Sequence, residues 1–198
     1  MVFPSAAERD FVAREFGAIE GGWQTLERLG EFLAGTLSKP FVIAREFATP
    51  RELVWKAWTE RECLMQWFGT KGFKMTAAKL EFRPGGSFLY CLQTPDGKDV
   101  WGKFVYREIV APEKIVLVNS FSDANGGLTR HPFSAAWPLE MLTETTLAEH
   151  DGKTTLTIKW SPLNATDQER QAFDGARDSM TQGWTGTFEQ LAEYLAKA

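Results

Sequence analysis

FKMTAAKLEFRPGGSFLYCLQTPDGKDVWGKFVYREIVAPEKIVLVNSFS, Phe73–Ser122, alternates between apolar and polar residues and is interrupted only by short turn signals. Period two is the signature of a strand with one buried face. Pro84-Gly85-Gly86, Pro95-Asp96-Gly97 and Ala111-Pro112-Glu113 separate strands expected at Phe73–Phe82, Ser87–Gln93, Val100–Val110 and Lys114–Ser122. Connections this short join antiparallel neighbours, because a parallel crossover needs about a dozen residues. The pattern resumes at Leu139–Glu149 and Thr154–Trp160, joined through Asp151-Gly152. One longer stretch, Asp123–Pro138, carries Gly126-Gly127 and two prolines. Loops of that length in a compact domain are often functional.

Upstream of this block, Phe41–Phe47 reads as a strand. Thr49-Pro50 then places a proline in the first turn of a short helix with Val54, Ala57 and Trp58 on one side. A second helical piece, Glu60–Phe68, ends at Gly69. Downstream, a long helix is expected from Asp167 to Ala196, with Phe173, Met180, Trp184, Phe188, Leu191 and Leu195 in one stripe. Gly183 and Gly186 thin it beside Trp184. A sheet of about seven strands cannot bury its inner face alone, and this helix is the element long enough to cover it. The expected class is α+β: a curved antiparallel sheet gripping a C-terminal helix.

Residues 1–38 are expected to form a separate helical extension, and residues 39–198 the domain just described. Ser5 and Glu8 make a capping-box pattern, and Val12, Phe16, Ile19, Trp23, Leu26, Leu29 and Leu33 recur at helical spacing to about Leu37. TLERLGEFLA at Thr25–Ala34 matches TFEQLAEYLA at Thr187–Ala196 at six of ten positions. The extension therefore reads as the terminal helix of a preceding copy whose sheet is missing. Its apolar stripe needs another cover, and a homodimer through this helix is one such cover.

Composition narrows the function classes. Of 198 residues, 43% are hydrophobic and 24% charged, as in ordinary globular proteins, and eight Trp and fifteen Phe can fill a core or line a pocket. A net charge of −4 without any Lys/Arg-rich run argues against a nucleic-acid partner. The sequence has no apolar run long enough to span a membrane. MVFPSAAERDF at the start lacks the basic and apolar parts of a secretory signal. Cys63 and Cys91 stand singly, as buried small hydrophobes in a reduced, cytoplasmic protein would.

Several motifs occur together in a familiar order: REFATPRELVWKAWTERECLMQWF (Arg45–Phe68), FRPGGSF (Phe82–Phe88), Asp96-Gly97-Lys98, WGKF (Trp101–Phe104), IVAPEKIV (Ile109–Val116) and QGWTGTFEQLAEYL (Gln182–Leu195). As a set they resemble the bacterial homologues of the C-terminal part of the activator of the heat-shock-protein-ninety ATPase. That family lies in the START-like (SRPBCC) superfamily, whose helix-grip fold is shared with the birch-pollen allergen. The resemblance runs from Phe41 to the C-terminus and implies the same elements as the pattern. It says little about activity, because the superfamily includes lipid carriers, hormone receptors, polyketide cyclases and members of unknown role.

Catalytic sets are missing from the sequence. His150 lies in a hairpin beside Asp151, and no Cys/His/carboxylate cluster has metal-ligand spacing, so no metal and no cofactor is expected. There is no G-x-S-x-G elbow, P-loop or dinucleotide fingerprint. Glu140 and Glu144 fall on the solvated face of their strand. A pocket is the stronger expectation. Met180 and Trp184 on the helix would look across at Phe88, Tyr90, Phe104, Leu117, Phe121, Met141, Thr143, Leu156 and Ile158. Trp58, Trp67 and Phe68 would close one end, and the long loop with His131, Phe133 and Trp137 the other. Thr143 or Asn119 would serve as a polar anchor.

The ligand-binding set is therefore Trp58, Trp67, Phe68, Phe88, Phe104, Phe121, His131, Trp137, Met141, Thr143, Met180 and Trp184. The expected partner is a small hydrophobic or aromatic molecule, bound without catalysis. A cyclase- or hydrolase-like enzyme using His131 on an aromatic substrate is the second reading. A co-chaperone-like interaction module is the third.

Overall fold

A computed structural model describes residues 5–7, 11, 26 and 39–197. The chain divides into two units, residues 1–38 and 39–198, and the second is described here. The N-terminal helix read from the sequence, and a dimer formed through it, fall almost wholly outside the described residues.

Strand β1 (Phe41–Phe47) leads into helices α1 (Arg51–Thr59) and α2 (Arg61–Trp67). Strands β2 (Lys74–Leu80), β3 (Ser87–Gln93), β4 (Asp99–Val110), β5 (Lys114–Ser122), β6 (Leu128–Thr129), β7 (Glu140–His150) and β8 (Lys153–Leu163) follow. Helices α3 (Asp167–Gly175) and α4 (Arg177–Leu195) close the chain. The sheet order is β1-β8-β7-β5-β4-β3-β2, antiparallel throughout, with β6 paired to β5. This is the α+β helix-grip architecture that the period-two pattern implied.

Three expectations are corrected. Pro50 flanks α1 instead of entering its first turn: its ψ of 149° is extended, and the helix begins at Arg51. The long loop contains the short strand β6, which continues alongside β5 beyond the point where β7 stops pairing with it. The chain therefore leaves the sheet between Thr129 and Glu140. The C-terminal helix is two helices, broken at Ala176 (φ −97°, ψ 6°). Gly175 weakens the helix at that point by about 1 kcal/mol against Ala. The break also lets fully buried Phe173 turn into a small cluster with Phe41, Met141 and Met180. Helix α3 starts at a capping box: the Glu169 backbone N–H donates to Thr166 Oγ1 (3.3 Å) and the Thr166 N–H donates to Glu169 Oε2 (2.8 Å).

Alternate residues of the strands face α4, as the pleat requires. On β7 these are Met141, Thr143, Thr145 and Leu147, all buried. The larger core gathers Phe47, Val54, Ala57, Leu64, Phe88, Ile115, Leu156, Ile158, Phe188 and Leu191. It lies under α1, α2 and the second half of α4, and it leaves the sheet under the first half of α4 less filled. Among the described residues, no helix is long and apolar enough to cross a membrane.

Candidate functional site

The unfilled region is a cavity of about 430 Å³. Its floor is the sheet: Tyr90 on β3, Phe104 on β4, Asn119 and Phe121 on β5, Thr143 on β7 and Trp160 on β8. The register explains why these side chains converge. Thr143 pairs with Leu117 on one side and Trp160 on the other, and Phe104 pairs with Asn119, so two adjacent rows cross from strand to strand on the same face. Gly102, opposite Tyr90, makes room for it: a Cβ there would lie 2.4 Å from the Tyr90 hydroxyl oxygen. The phenol thus lies across β4, and burial pushes its pKa up.

The roof is the first half of α4, through Ser179, Met180, Gly183, Trp184 and Thr187. Gly183 adds no side chain, and a Cβ built there meets nothing within 4 Å. Trp58 and Phe68 close one end, stacking on Trp184 (6.4 Å) and against Tyr90 (5.4 Å) respectively. The loop between β6 and β7 closes the other end with His131, Phe133 and Trp137. Phe133 is 67% exposed, and Ser179 and Gly183 are exposed too, so the cavity opens to solvent between loop and helix.

That loop is tied down. Arg130 reaches the Trp137 carbonyl (3.3 Å) and forms an ion pair with the buried carboxylate of Glu169 at the start of α3. The Arg130 hydrogen bond, together with the Thr166 N–H, holds the Glu169 carboxyl below its ordinary pKa. Trp137 packs on Phe173 at 5.9 Å. His131 sits among Phe121 (4.4 Å), Trp137 (5.8 Å) and Phe133 (5.9 Å). Burial lowers its pKa, so the imidazole is neutral near pH 7. Its Nδ1 accepts the Phe133 backbone N–H (3.0 Å), which puts the remaining proton on Nε2.

Of the residues singled out from sequence, Trp58, Phe68, Phe104, Phe121, His131, Trp137, Thr143, Met180 and Trp184 line this cavity. Trp67, Phe88 and Met141 do not. Trp67 lies behind Trp58 at 4.9 Å and donates its indole N–H to the Ala57 carbonyl (2.9 Å). Phe88 is on the predicted face but is fully covered by Phe68, Tyr90 and Phe104. Met141 is also on that face, and the Phe173 cluster fills the space above it.

The anchor pair is joined: Thr143 Oγ1 donates to Asn119 Oδ1 at 2.6 Å. Trp160 and Thr145, also in the lining, were not among the residues read from sequence. Trp160 was within reach of the sequence, since it shares strand parity with Leu156 and Ile158. The lining contains no Lys, Arg, Asp or Glu, and among the described residues no three His, Cys, Asp or Glu side chains are grouped to hold a metal ion. The arrangement supplies apolar walls and a few hydrogen bonds, with no charge.

Comparison with known proteins agrees with this architecture. Solved structures from Arthrobacter aurescens (25% identity, TM-score 0.67, covering 81% of this chain and 88% of that one) and Nitrosomonas europaea (24%, 0.63, 81% and 96%) share the fold. So does an AHSA1 protein from Silicibacter pomeroyi (19%, 0.62, 79% and 97%). No curated protein matches the chain. The family model described as "Activator of Hsp90 ATPase homolog 1-like protein" matches residues 48–196, which includes every cavity-lining residue, and the chain belongs to that family.

Proposed function

We propose that the protein binds a small hydrophobic or aromatic molecule in the cavity between the sheet and α4. The observation that carries this reading is a volume of about 430 Å³ lined by aromatic side chains and free of formal charge. That volume falls within the span of about 300–1,000 Å³ usual for small-molecule sites. Burying aromatic ligand surface there is worth roughly 25 cal/mol per Å² before the costs of association. The walls are preformed: aromatic contacts tie Trp58, Trp160 and Trp184 together, and the loop is pinned through Arg130, so little ordering is left to oppose binding. The free, buried thiols of Cys63 and Cys91 suit a reduced cytoplasmic setting.

A thermal-shift screen of neutral aromatics and long-chain lipids tests the reading. A ligand at about one hundred times its Kd adds about 2.7 kcal/mol of stability, a shift of several degrees. The shift should shrink or disappear in Gly183→Phe, which adds a ring at a residue of the cavity roof. Absence of any binder, or hits that G183F leaves untouched, would sink it.

A further inference from the structure

We propose that the occupant is a neutral aromatic molecule carrying a hydrogen-bond-accepting oxygen, such as a ring ketone, held by the Asn119 amide and His131 Nε2–H. This rests on the ligand-binding reading above and sharpens it. Asn119 spends its acceptor on the Thr143 hydroxyl (2.6 Å), which leaves the amide nitrogen with its two donors and no protein partner among the described residues. His131 spends its acceptor, Nδ1, on the Phe133 N–H (3.0 Å), which leaves Nε2–H as a donor in the same position. Neither nitrogen is sealed off. Among the described residues, the one fully buried side-chain polar atom without a partner is Arg51 Nε, far from this site in the fold.

Both donor residues neighbour Phe121. Asn119 precedes Phe121 by two residues, on the same strand face and about 7 Å along β5. The His131 ring lies 4.4 Å from the Phe121 ring. The carbonyl of Gly69, in the lining, already accepts from Thr187 Oγ1 (3.0 Å) and Gln190 Nε2 (2.8 Å). The hydroxyls of the lining can rotate to donate or accept, so the rigid groups decide polarity, and the rigid groups are donors. With no Lys or Arg in the lining, a carboxylate or phosphate would lose its hydration uncompensated. With no Asp or Glu, an ammonium finds no ion-pair partner and has only ring faces to replace its hydration.

Tryptophan-fluorescence titration of the full chain with fluorene, 9-fluorenone, fluorene-9-carboxylate and 9-aminofluorene at pH 7.5 tests this. Fluorenone should bind on the order of tenfold more tightly than fluorene, with the two ions weakest. Asn119→Leu and His131→Phe should each bring the ratio of fluorenone to fluorene affinity down toward one. Asn119→Asp should weaken the ketone further. Because the readout is a ratio of two ligands on one protein, a modest loss of stability in a variant does not obscure it. Equal binding of fluorene and fluorenone, or preference for an ion, would overturn the donor assignment and leave the hydrophobic site standing. Failure of all four probes to bind would count against both.

Discussion

Two glycines three residues apart on α4 show that one helix has two different surroundings. A side chain at Gly183 would stand in open space, whereas at Gly186 a Cβ would come within 3.3 Å of Lys71 Cβ. Toward the N-terminal end from Gly183, the helix presents Ser179 and Met180 to the cavity. Toward the C-terminal end from Gly186, it buries Phe188 (1% exposed) and Leu191 (0%) in the main core. The helix is continuous from Arg177 to Leu195, so the difference comes from what it meets. Its second half meets β1 and the helices α1 and α2. Its first half meets strands whose inward side chains include Asn119 and Thr143, and a loop that stands away from the sheet. The lesson is that the main core and the cavity are placed in series along a single helix, so that substitutions can be aimed at one or the other.

The largest expected effect is at the core end. Phe188→Ala should cost about 3–5 kcal/mol in urea unfolding, the usual price for a buried phenylalanine. Trp184→Ala, though the larger truncation, should cost less because Trp184 borders a space already empty. Equal losses would erase the contrast between the two halves. Next in size is Arg130→Ala, which removes the tie between loop and α3. A loss of about 1 kcal/mol is expected, since Arg130 is half exposed and Glu169 keeps its bonds to Thr166. Amide exchange should quicken in the loop at Phe133 and Trp137 while the strands stay protected, and uniform protection would show that the loop is held by other means. Gly183→Ala should then raise stability by about 0.5–1 kcal/mol, the helical preference of Ala over Gly where space is free. Gly186→Ala should gain less or nothing, because Lys71 must yield. A larger gain at Gly186 would reverse the comparison.

The smallest effect is a pH dependence. The folded pKa of His131 lies below 6.5, so in the window just below that value the folded chain binds fewer protons than the unfolded one. Stability from this residue is complete above pH 6.5 and declines as pH falls through the window. Groups facing His131 are the uncharged Phe121, Phe133 and Trp137, and the neighbouring Arg130 is turned to Glu169. Glu169, held below its ordinary 4.5, adds a further loss in more acid solution. The melting temperature of wild type relative to His131→Asn should therefore fall as pH drops below 6.5 and be flat well above it. A flat difference throughout would mean that the imidazole is solvated in the folded chain.

Much of the site was legible because strand parity is strict. Phe104, Phe121 and Thr143 follow from alternation alone, and Met180 and Trp184 from the helical stripe. Parity names a face and not a depth, which is why Phe88 and Met141 were placed on the correct side and yet are covered: by Phe68 and Tyr90 in one case, by Phe173 in the other. Trp67 was misplaced for a related reason, since a short helix gives no sign of which of its aromatics lies behind the other. The capping box at Thr166–Glu169 was open to reading, because Thr followed three residues later by Glu is its usual form. That the same Glu169 would also receive Arg130 was not, since that pair is joined only by the folding of the loop.

By itself, the sequence determined the seven longer strands, their antiparallel order of connection, the covering helix and the family, because these depend on local periodicity and turn chemistry. Tertiary structure decided that the helix breaks at Ala176, that a cavity remains beneath its first half, and that Asn119 and His131 keep donors to spare. Those outcomes depend on which side chains arrive from distant parts of the chain to fill a volume or accept a hydrogen bond. Periodicity along the chain carries no record of that meeting.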